Sequence, residues 1–222
     1  MRIALLGGTG DIGEGLAIRW ARDTSHTVHI GSRDPEKGKE KAAEYRSELT
    51  DRGFEVEITG SGNETAAAAA DVVVVSVPPQ YAADTVASVA ESLEKGDIVV
   101  SPAVAMDRDK SGFHYDRPEG GSIAEVIARA TPEAIPVVGA FQNLAAGALT
   151  DLDNELDYHV VVTGDDPEAR VDIKELSEEI DGIDALIGGP LANSGEIEAI
   201  TPLLINLAMN NDGLHDLGVK FQ

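Results

Sequence analysis

The stretch Gly7-Gly8-Thr9-Gly10-Asp11-Ile12-Gly13 constrains this chain more than any other part of it. It follows the apolar run Arg2-Ile3-Ala4-Leu5-Leu6 and opens the periodic segment Ile12, Leu16, Ile18, Trp20. Read from Gly8, it is GxGxxG between a strand and a helix, the setting in which the pattern marks a dinucleotide site. Gly8 would permit the tight turn, Gly10 would let backbone approach a pyrophosphate, and Gly13 would let the helix pack closely on the strand. Free N–H groups and the positive end of the helix dipole would then face the phosphates. The alternative is a glycine-rich turn without a ligand.

The second strand bears on which dinucleotide is taken. Thr27-Val28-His29-Ile30 reads as a buried strand followed by Gly31-Ser32-Arg33. An NAD unit places Asp or Glu about 20 residues past the glycines, to bond the ribose 2′-hydroxyl. Residues 28–33 contain no acid. Ser32 offers a hydroxyl, Arg33 a planar fork suited to phosphate, and Lys37 a further charge one turn into the next helix. The set favours NADP, against the alternative of solvated charges at a helix start.

Strand and helix alternate through the first half, which predicts an α/β, Rossmann-type, doubly wound and mostly parallel sheet. The helix Pro35 to Asp51 is expected next, then a third, edge-ward strand at Phe54-Glu55-Val56-Glu57-Ile58. Asn63 is expected to cap a short alanine-rich helix through Ala70. Val72 to Val77 reads as the central fourth strand, ended by Pro78-Pro79, with a helix carrying Tyr81, Val86, Val89 and Leu93. Gly96 to Val100 and Pro136 to Gly139 are strands five and six. Residues 105–121 read as a polar loop, and long loops are often functional. Its His114 is a candidate acid or base without a recognisable partner, and no residue spacing suggests a metal site. Later come strands at Tyr158 to Thr163 and Asp184 to Ile187, separated by a helix from Pro167 to Glu179. A helix from about Ser194 to Met209 follows, with Pro202 inside it predicting a kink or break. Residues 1–143 form the expected NADP-binding domain, and residues 144–222 a small α/β extension that closes the cleft.

The 40 acidic residues against 17 Lys and Arg give a formal charge of −23. Such a surface argues against nucleic acid or an anionic membrane as partner. No apolar run of about 18 residues suggests a membrane span. The absence of cysteine removes disulfides and thiolate sites. A cytoplasmic protein is expected. Dispersed acids, few lysines and few aromatics resemble the proteins of salt-accumulating halophilic archaea, whose molar salt shortens the Debye length to about 3 Å; the alternative is an ordinary acidic enzyme of a mesophile.

The strings GGTGDIG, GSRDPEKGKEKAAEYR, VVVVSVPPQYA, IVVSPAVA and GGPLANSGEIEAITPLLINL…LGVKF resemble the coenzyme F420:NADP oxidoreductases of archaea and bacteria over nearly the whole chain. The resemblance implies direct hydride exchange between NADPH and C5 of an 8-hydroxy-5-deazaflavin, in a cytoplasmic homodimer. It places NADP contacts on Thr9, Gly10, Asp11 and Ile12, on Ser32, Arg33 and Lys37 at the 2′-phosphate, and on Val77, Val104, Ala146 and Leu217. It places the deazaflavin near Leu144, Asn193 and Thr201, with Lys220 in the vicinity. The chain departs from the family at Gln142, where members commonly carry histidine, near Ala148, where they carry arginine, and at Pro79, where a bulky aromatic is frequent.

Such chemistry needs no catalytic side chain, since the two cofactors react once aligned. Alcohol or hydroxy-acid dehydrogenation would need a proton carrier instead. Two other readings stay open: an NADP-dependent imine or carbonyl reductase, and a non-catalytic NADP sensor. The former family generally dimerises through a long all-helical C-terminal domain, unlike the strand-containing tail expected here.

Overall fold

The four valines Val72–Val75, each at most 2 % exposed, mark the middle of the molecule. β-Branched residues buried on both faces are what a strand inside a two-sided parallel sheet requires. In the computed structural model, which describes residues 1–222, they form β4. The chain builds β1 (Arg2–Leu6), α1 (Asp11–Asp23), β2 (Thr27–Ser32), α2 (Pro35–Asp51), β3 (Ile58–Gly62) and α3 (Asn63–Ala68) before β4 (Val72–Val75). It continues with α4 (Ala82–Val89), β5 (Ile98–Ser101), β6 (Met106–Asp109), β7 (Gly112–Tyr115), α5 (Ile123–Ala130) and β8 (Val137–Gly139). Last come α6 (Ala146–Thr150), β9 (Tyr158–Gly164), α7 (Pro167–Glu178), β10 (Ile183–Gly189), α8 (Ser194–Glu198) and α9 (Ile200–Asn210).

One sheet runs β10-β9-β8-β5-β4-β1-β2-β3. Its neighbours are parallel except β8 and β9, which pair antiparallel through Val138–Gly164 and Gly139–Thr163. The order β3-β2-β1-β4-β5-β8 is the doubly wound arrangement, and its direction of travel reverses between β1 and β4. Ligands bind beyond the strand carboxyl ends at such a switch point. β9 and β10 extend the same sheet, so residues on both sides of position 143 share one layer.

Alternate strand residues feed two cores. On one face Ile3, Leu5, Val28, Ile30, Val72 and Val74 pack with Leu16 and Trp20 of α1, Tyr45 and Leu49 of α2, and Ile173 and Leu176 of α7. On the other, Ala4, Leu6, Val73 and Val75 meet Ala66, Val86 and Ile127 from α3, α4 and α5. Trp20 is fully buried, donates its indole N–H to Leu176 O at 3.1 Å, and meets Phe141 edge-on at 5.4 Å.

Several expectations need correction. The third strand begins at Ile58, where it was expected to end. Close approach to α2 sets its place: a Cβ on Gly60 would strike the Gly38 carbonyl, and one on Gly38 would lie 2.5 Å from Ser61 O. The alternation Phe54 to Glu57 instead spans the exposed crossing from α2, whose end is marked by Gly53 at φ +91°. Asn63 starts α3 and caps nothing; the capping position falls on Gly62. The helix after β4 is split into a 3-10 turn, Pro79–Tyr81, then α4, then a second 3-10 turn, Ala90–Ser92, which leaves Leu93 outside. Strand β4 stops at Val75, and Ser76 beyond it donates both its N–H and its hydroxyl to Leu6 O, at 2.9 and 3.0 Å. Residues 106–115 are a hairpin outside the main sheet rather than a loop. The C-terminal helix does break, as Pro202 implied, but at Ala199, and Pro202 occupies the first turn of α9, where its missing N–H leaves no bond unmade.

Candidate active site

The turn between β1 and α1 sits at the switch point. Gly7, not Gly8, takes the left-handed backbone, at φ +75°, and a side chain there would strike Val77. Gly8 is held by crowding instead, because a Cβ would lie 2.9 Å from Leu5 Cβ. A Cβ on Gly13 would come 2.6 Å from Gly8 Cα and 2.8 Å from Ser76 Oγ, so α1 rests directly on the turn. Gly10 is the capping residue of α1, and its own face stays open, the nearest atom to a Cβ being Gly7 O at 3.6 Å. No side chain caps α1, so its first-turn N–H groups are free for an anion. Tyr45 braces the turn from beneath through a hydrogen bond from its hydroxyl to Gly8 O at 3.1 Å. Burial, with the Glu14 carboxylate beside it, pushes that phenol far above its ordinary pKa and keeps it a donor.

At the end of β2, Ser32 is 7 % exposed while Arg33 reaches solvent with its guanidinium 5.3 Å from the centre of the Tyr81 ring. Ser32, Arg33, Lys39, Ser61, Asn63 and Thr65 contribute to a polar cavity of about 580 Å³. Lys37 lies exposed on the first turn of α2 and is not part of that lining; Lys39, which the sequence reading passed over, is. The buried Asn63 Oδ1 has no partner in the protein.

Between these features and the far half of the sheet lies a cleft of about 510 Å³. Gly10, Asp11, Ile12, Val77, Val104, Leu144, Ala146 and Thr201 all line it. Thr9 stands at the turn's apex, half-buried. Pro79, Met106 and Gln142 line the cleft as well. Met106 arrives on the β6–β7 hairpin, which had no hydrophobic pattern to announce it.

The wall beyond β8 is strained. Phe141 adopts φ +70°, a left-handed geometry that costs a bulky residue roughly 1–3 kcal/mol. Its ring is 1 % exposed and meets Trp20. Burying a phenylalanine is worth roughly 1.5–3 kcal/mol, enough to offset the strain. The turn then presents Gln142, whose carbonyl accepts the Thr201 hydroxyl at 2.6 Å. The Gln142 amide is buried, and neither its oxygen nor its nitrogen has a protein partner. An unpaired buried amide costs roughly 1–3 kcal/mol, so this one calls for a ligand or water.

A second, mostly apolar cavity of about 460 Å³ opens beside the first. Leu144, Ala146 and Thr201 line both. Leu204, Ile205, Ala208 and Leu217 complete much of its wall. The C-terminal tail that carries Leu217 is tied down by Tyr158, whose hydroxyl donates to Asp216 O at 2.8 Å, and by the His159 N–H, which donates to Val219 O at 2.7 Å. Lys220, on the same tail, pairs with Asp157 just before β9 and lines neither cavity.

Asn193 donates its amide to Gly188 O at 2.7 Å and lines neither cavity. Ala148 is buried in α6, with its carbonyl turned to Arg19. His114 is exposed on β7, beside Ser111 and Asp109, whose carboxyl its neighbours lower to about 2. Outside both cavities, Glu198 is fully buried and accepts the Ile123 N–H at 2.9 Å and the Tyr115 hydroxyl at 2.9 Å. Desolvation raises its pKa above the ordinary carboxylate value despite those donors.

The family pattern described as NADP oxidoreductase, coenzyme F420-dependent, matches residues 2–105. An F420-dependent NADP reductase of Methanocaldococcus jannaschii is 43 % identical over 210 residues, 93 % of this chain and 92 % of that protein. Its counterpart in Methanothermobacter thermautotrophicus is 40 % identical over 214 residues, 95 % of this chain and 90 % of that protein. A crystal structure of a putative F420-dependent NADP reductase from Arthrobacter sp. FB24 superposes with a TM-score of 0.81 at 24 % identity, covering 100 % of this chain and 99 % of that one, and shares its fold. With identity of 40 % or more over more than nine-tenths of its length, the chain belongs to the F420-dependent NADP reductase family.

Proposed function

We propose that the chain transfers a hydride between NADPH and coenzyme F420. The observation that carries this reading is the pair of adjoining cavities that share Leu144, Ala146 and Thr201, one of them reaching the phosphate turn. The residues fit both molecules. Free N–H groups at α1 suit the pyrophosphate, Ser32 and Arg33 suit a 2′-phosphate, and Lys37 adds positive charge from α2. The apolar lining of the second cavity suits a flat deazaflavin ring.

When bound, the two molecules supply the redox chemistry themselves: a hydride passes between nicotinamide C4 and deazaflavin C5, with one proton exchanged with solvent. The protein's part is alignment. Leu144 and Ala146 form the wall common to both cavities, while Thr201 fixes the Gln142 carbonyl and so the turn beyond β8. Residues 144–222 close the cleft over the ring ends. The strand-containing tail, β9 and β10, separates this chain from imine reductases closed by helices alone.

The reading includes a homodimer. α9 is rich in apolar residues, yet Leu203 is 56 % and Met209 53 % exposed, and Leu214 and Phe221 extend the uncovered surface. A second copy of the chain is the occupant the family resemblance supports, and sedimentation at micromolar concentration tests it. A cytoplasmic, halophilic setting completes the proposal. It rests on the charge of −23, and melting temperatures that fall or stay flat as KCl rises toward ~1 M would exclude the halophilic part. No helix is long and apolar enough to cross a membrane.

The reaction is tested by mixing protein, NADPH and oxidised F420 at high salt and following loss of the deazaflavin's visible absorbance. Persistence of that absorbance, together with reduction of a cyclic imine or carbonyl, would replace this reading with the small-substrate reductase. NADPH binding without any turnover would favour the sensor.

A further inference from the structure

Arg19 is the one arginine of the chain buried with its charge away from solvent, at 1 % exposure. No carboxylate accepts its hydrogen bonds. Nε donates to Leu149 O at 2.8 Å, and Nη2 lies within reach of Ala148 O at 2.9 Å, Asp151 O at 2.6 Å and Asn154 O at 3.3 Å. These carbonyls belong to the last turn of α6 and the segment beyond it. They are groups that a helix leaves unpaired at its negative end.

α6 has five residues, too few to be stable alone. Its placement therefore comes from what it packs on, which is α1. One turn before Arg19, on the same face, a Cβ on Gly15 would lie 2.5 Å from Leu149 Cβ, so the two helices touch at the backbone. The N-terminus of α1 forms the phosphate turn, and the N-terminus of α6 delivers Ala146, with Leu144 just before it, to both cavities. A lysine could not reproduce the bonds, because its single ammonium lacks the planar fork that reaches several carbonyls at once.

We propose that Arg19 is a positioning residue for hydride transfer: its guanidinium fixes α6 to α1 and so sets the ring-facing wall relative to the phosphate turn. The proposal rests on the NADPH–F420 reading above. It predicts a split between binding and chemistry. Arg19 and the residues whose carbonyls it holds line neither cavity, so the phosphate turn keeps its contacts, whereas a misplacement of about 1 Å between reacting groups can slow transfer roughly 100-fold.

The test compares the wild type with Arg19→Lys and, independently, Gly15→Ala, which pushes Leu149 away without touching the charge. Three quantities are measured: NADPH affinity by fluorescence, the single-turnover rate of F420 reduction, and amide hydrogen exchange. We expect NADPH affinity unchanged within about twofold and the transfer rate lowered roughly 10- to 100-fold in both variants. Amides of residues 148–154 should exchange faster while those of residues 14–18, bonded within α1 from Glu14 N–H onward, keep their protection. Wild-type transfer rates in folded variants would overturn the proposal, as would a loss of NADPH affinity as large as the loss of rate. A wild type that binds NADPH but leaves F420 oxidised would overturn the reaction itself and the positioning role with it. A wild type that reduces F420 no faster than its variants would overturn the role of Arg19 alone.

Discussion

Replacing Arg33 with alanine should separate the two nicotinamide dinucleotides. The guanidinium stands exposed at the end of β2, 5.3 Å from the Tyr81 ring centre and beside the nearly buried Ser32. No side-chain carboxylate holds it in a hydrogen bond or ion pair, although the surface around it is acidic. A hydrogen bond involving a charged group contributes roughly 1.5–3 kcal/mol. The site is open to solvent and Lys39 lines the same cavity, engaged with Glu36 at 2.8 Å. The lower end of the range therefore applies, and screening at molar salt works in the same direction. A loss of about 1.4 kcal/mol corresponds to a tenfold rise in the Kd for NADPH. NADH has no 2′-phosphate to lose, so its Kd should hardly move. Titrations of wild type and Arg33→Ala with both dinucleotides, followed by nicotinamide fluorescence at two salt concentrations, give the comparison. Equal weakening for NADPH and NADH would refute the assignment of Arg33 to the 2′-phosphate.

Other expectations follow from the same geometry. Gly13→Ala forces a methyl to within 2.6 Å of Gly8 Cα, and such overpacking costs roughly 1–3 kcal/mol, so calorimetry should show a lower melting temperature together with weaker NADPH binding. Thr201→Ala removes the 2.6 Å bond to Gln142 O and should slow F420 reduction, whereas His114→Ala, on the exposed hairpin, should keep most of the activity in the same assay. Glu198 has a folded pKa raised above its unfolded value, so its contribution to stability is full below the ordinary carboxylate range and declines as pH rises through the folded pKa. Glu198→Gln removes that decline, and its stability relative to wild type should therefore improve with rising pH; parallel denaturation curves from pH 4 to 7 would contradict this.

What was legible in the sequence was whatever local chemistry decides alone. The GxGxxG turn, the prolines at the starts of α2 and α7, and the valines of β4 each carry their own reason for the structure they take. The third strand was misplaced because its real residues, Ile58 to Gly62, owe their position to close contact with Gly38, which a propensity argument does not see. The β6–β7 hairpin was read as a loop because Asp107, Arg108 and Asp109 are all exposed and show no apolar alternation; its anchor is distant, the Asn206 amide bonding to both backbone groups of Phe113 at 2.7 and 2.8 Å. α5 did leave a signal in its Ser-x-x-Glu start: Ser122 caps it, accepting the Glu125 N–H at 3.1 Å and donating its hydroxyl to the Glu125 carboxylate at 3.0 Å. At the site, Gln142 stood out only by comparison with the family. The left-handed Phe141 that aims it, and Arg19 beneath α6, come from tertiary packing between segments about 120–135 residues apart, as in the contact of Trp20 with Phe141 and the bonds from Arg19 to residues 148–154.

The central claim is direct transfer between two bound molecules, and isotope tracing tests it most closely. NADPH carrying deuterium on the transferred face of nicotinamide C4 would be mixed with oxidised F420 and the protein in ordinary water, and the reduced deazaflavin recovered for mass spectrometry and NMR. Both C4 faces would be labelled in separate samples. The account predicts that one of the two samples places its deuterium at C5 of the deazaflavin, at the level of the label and without dilution by solvent hydrogen. Reduced deazaflavin carrying solvent hydrogen at C5 from both samples, or no reduced deazaflavin from either, would contradict it.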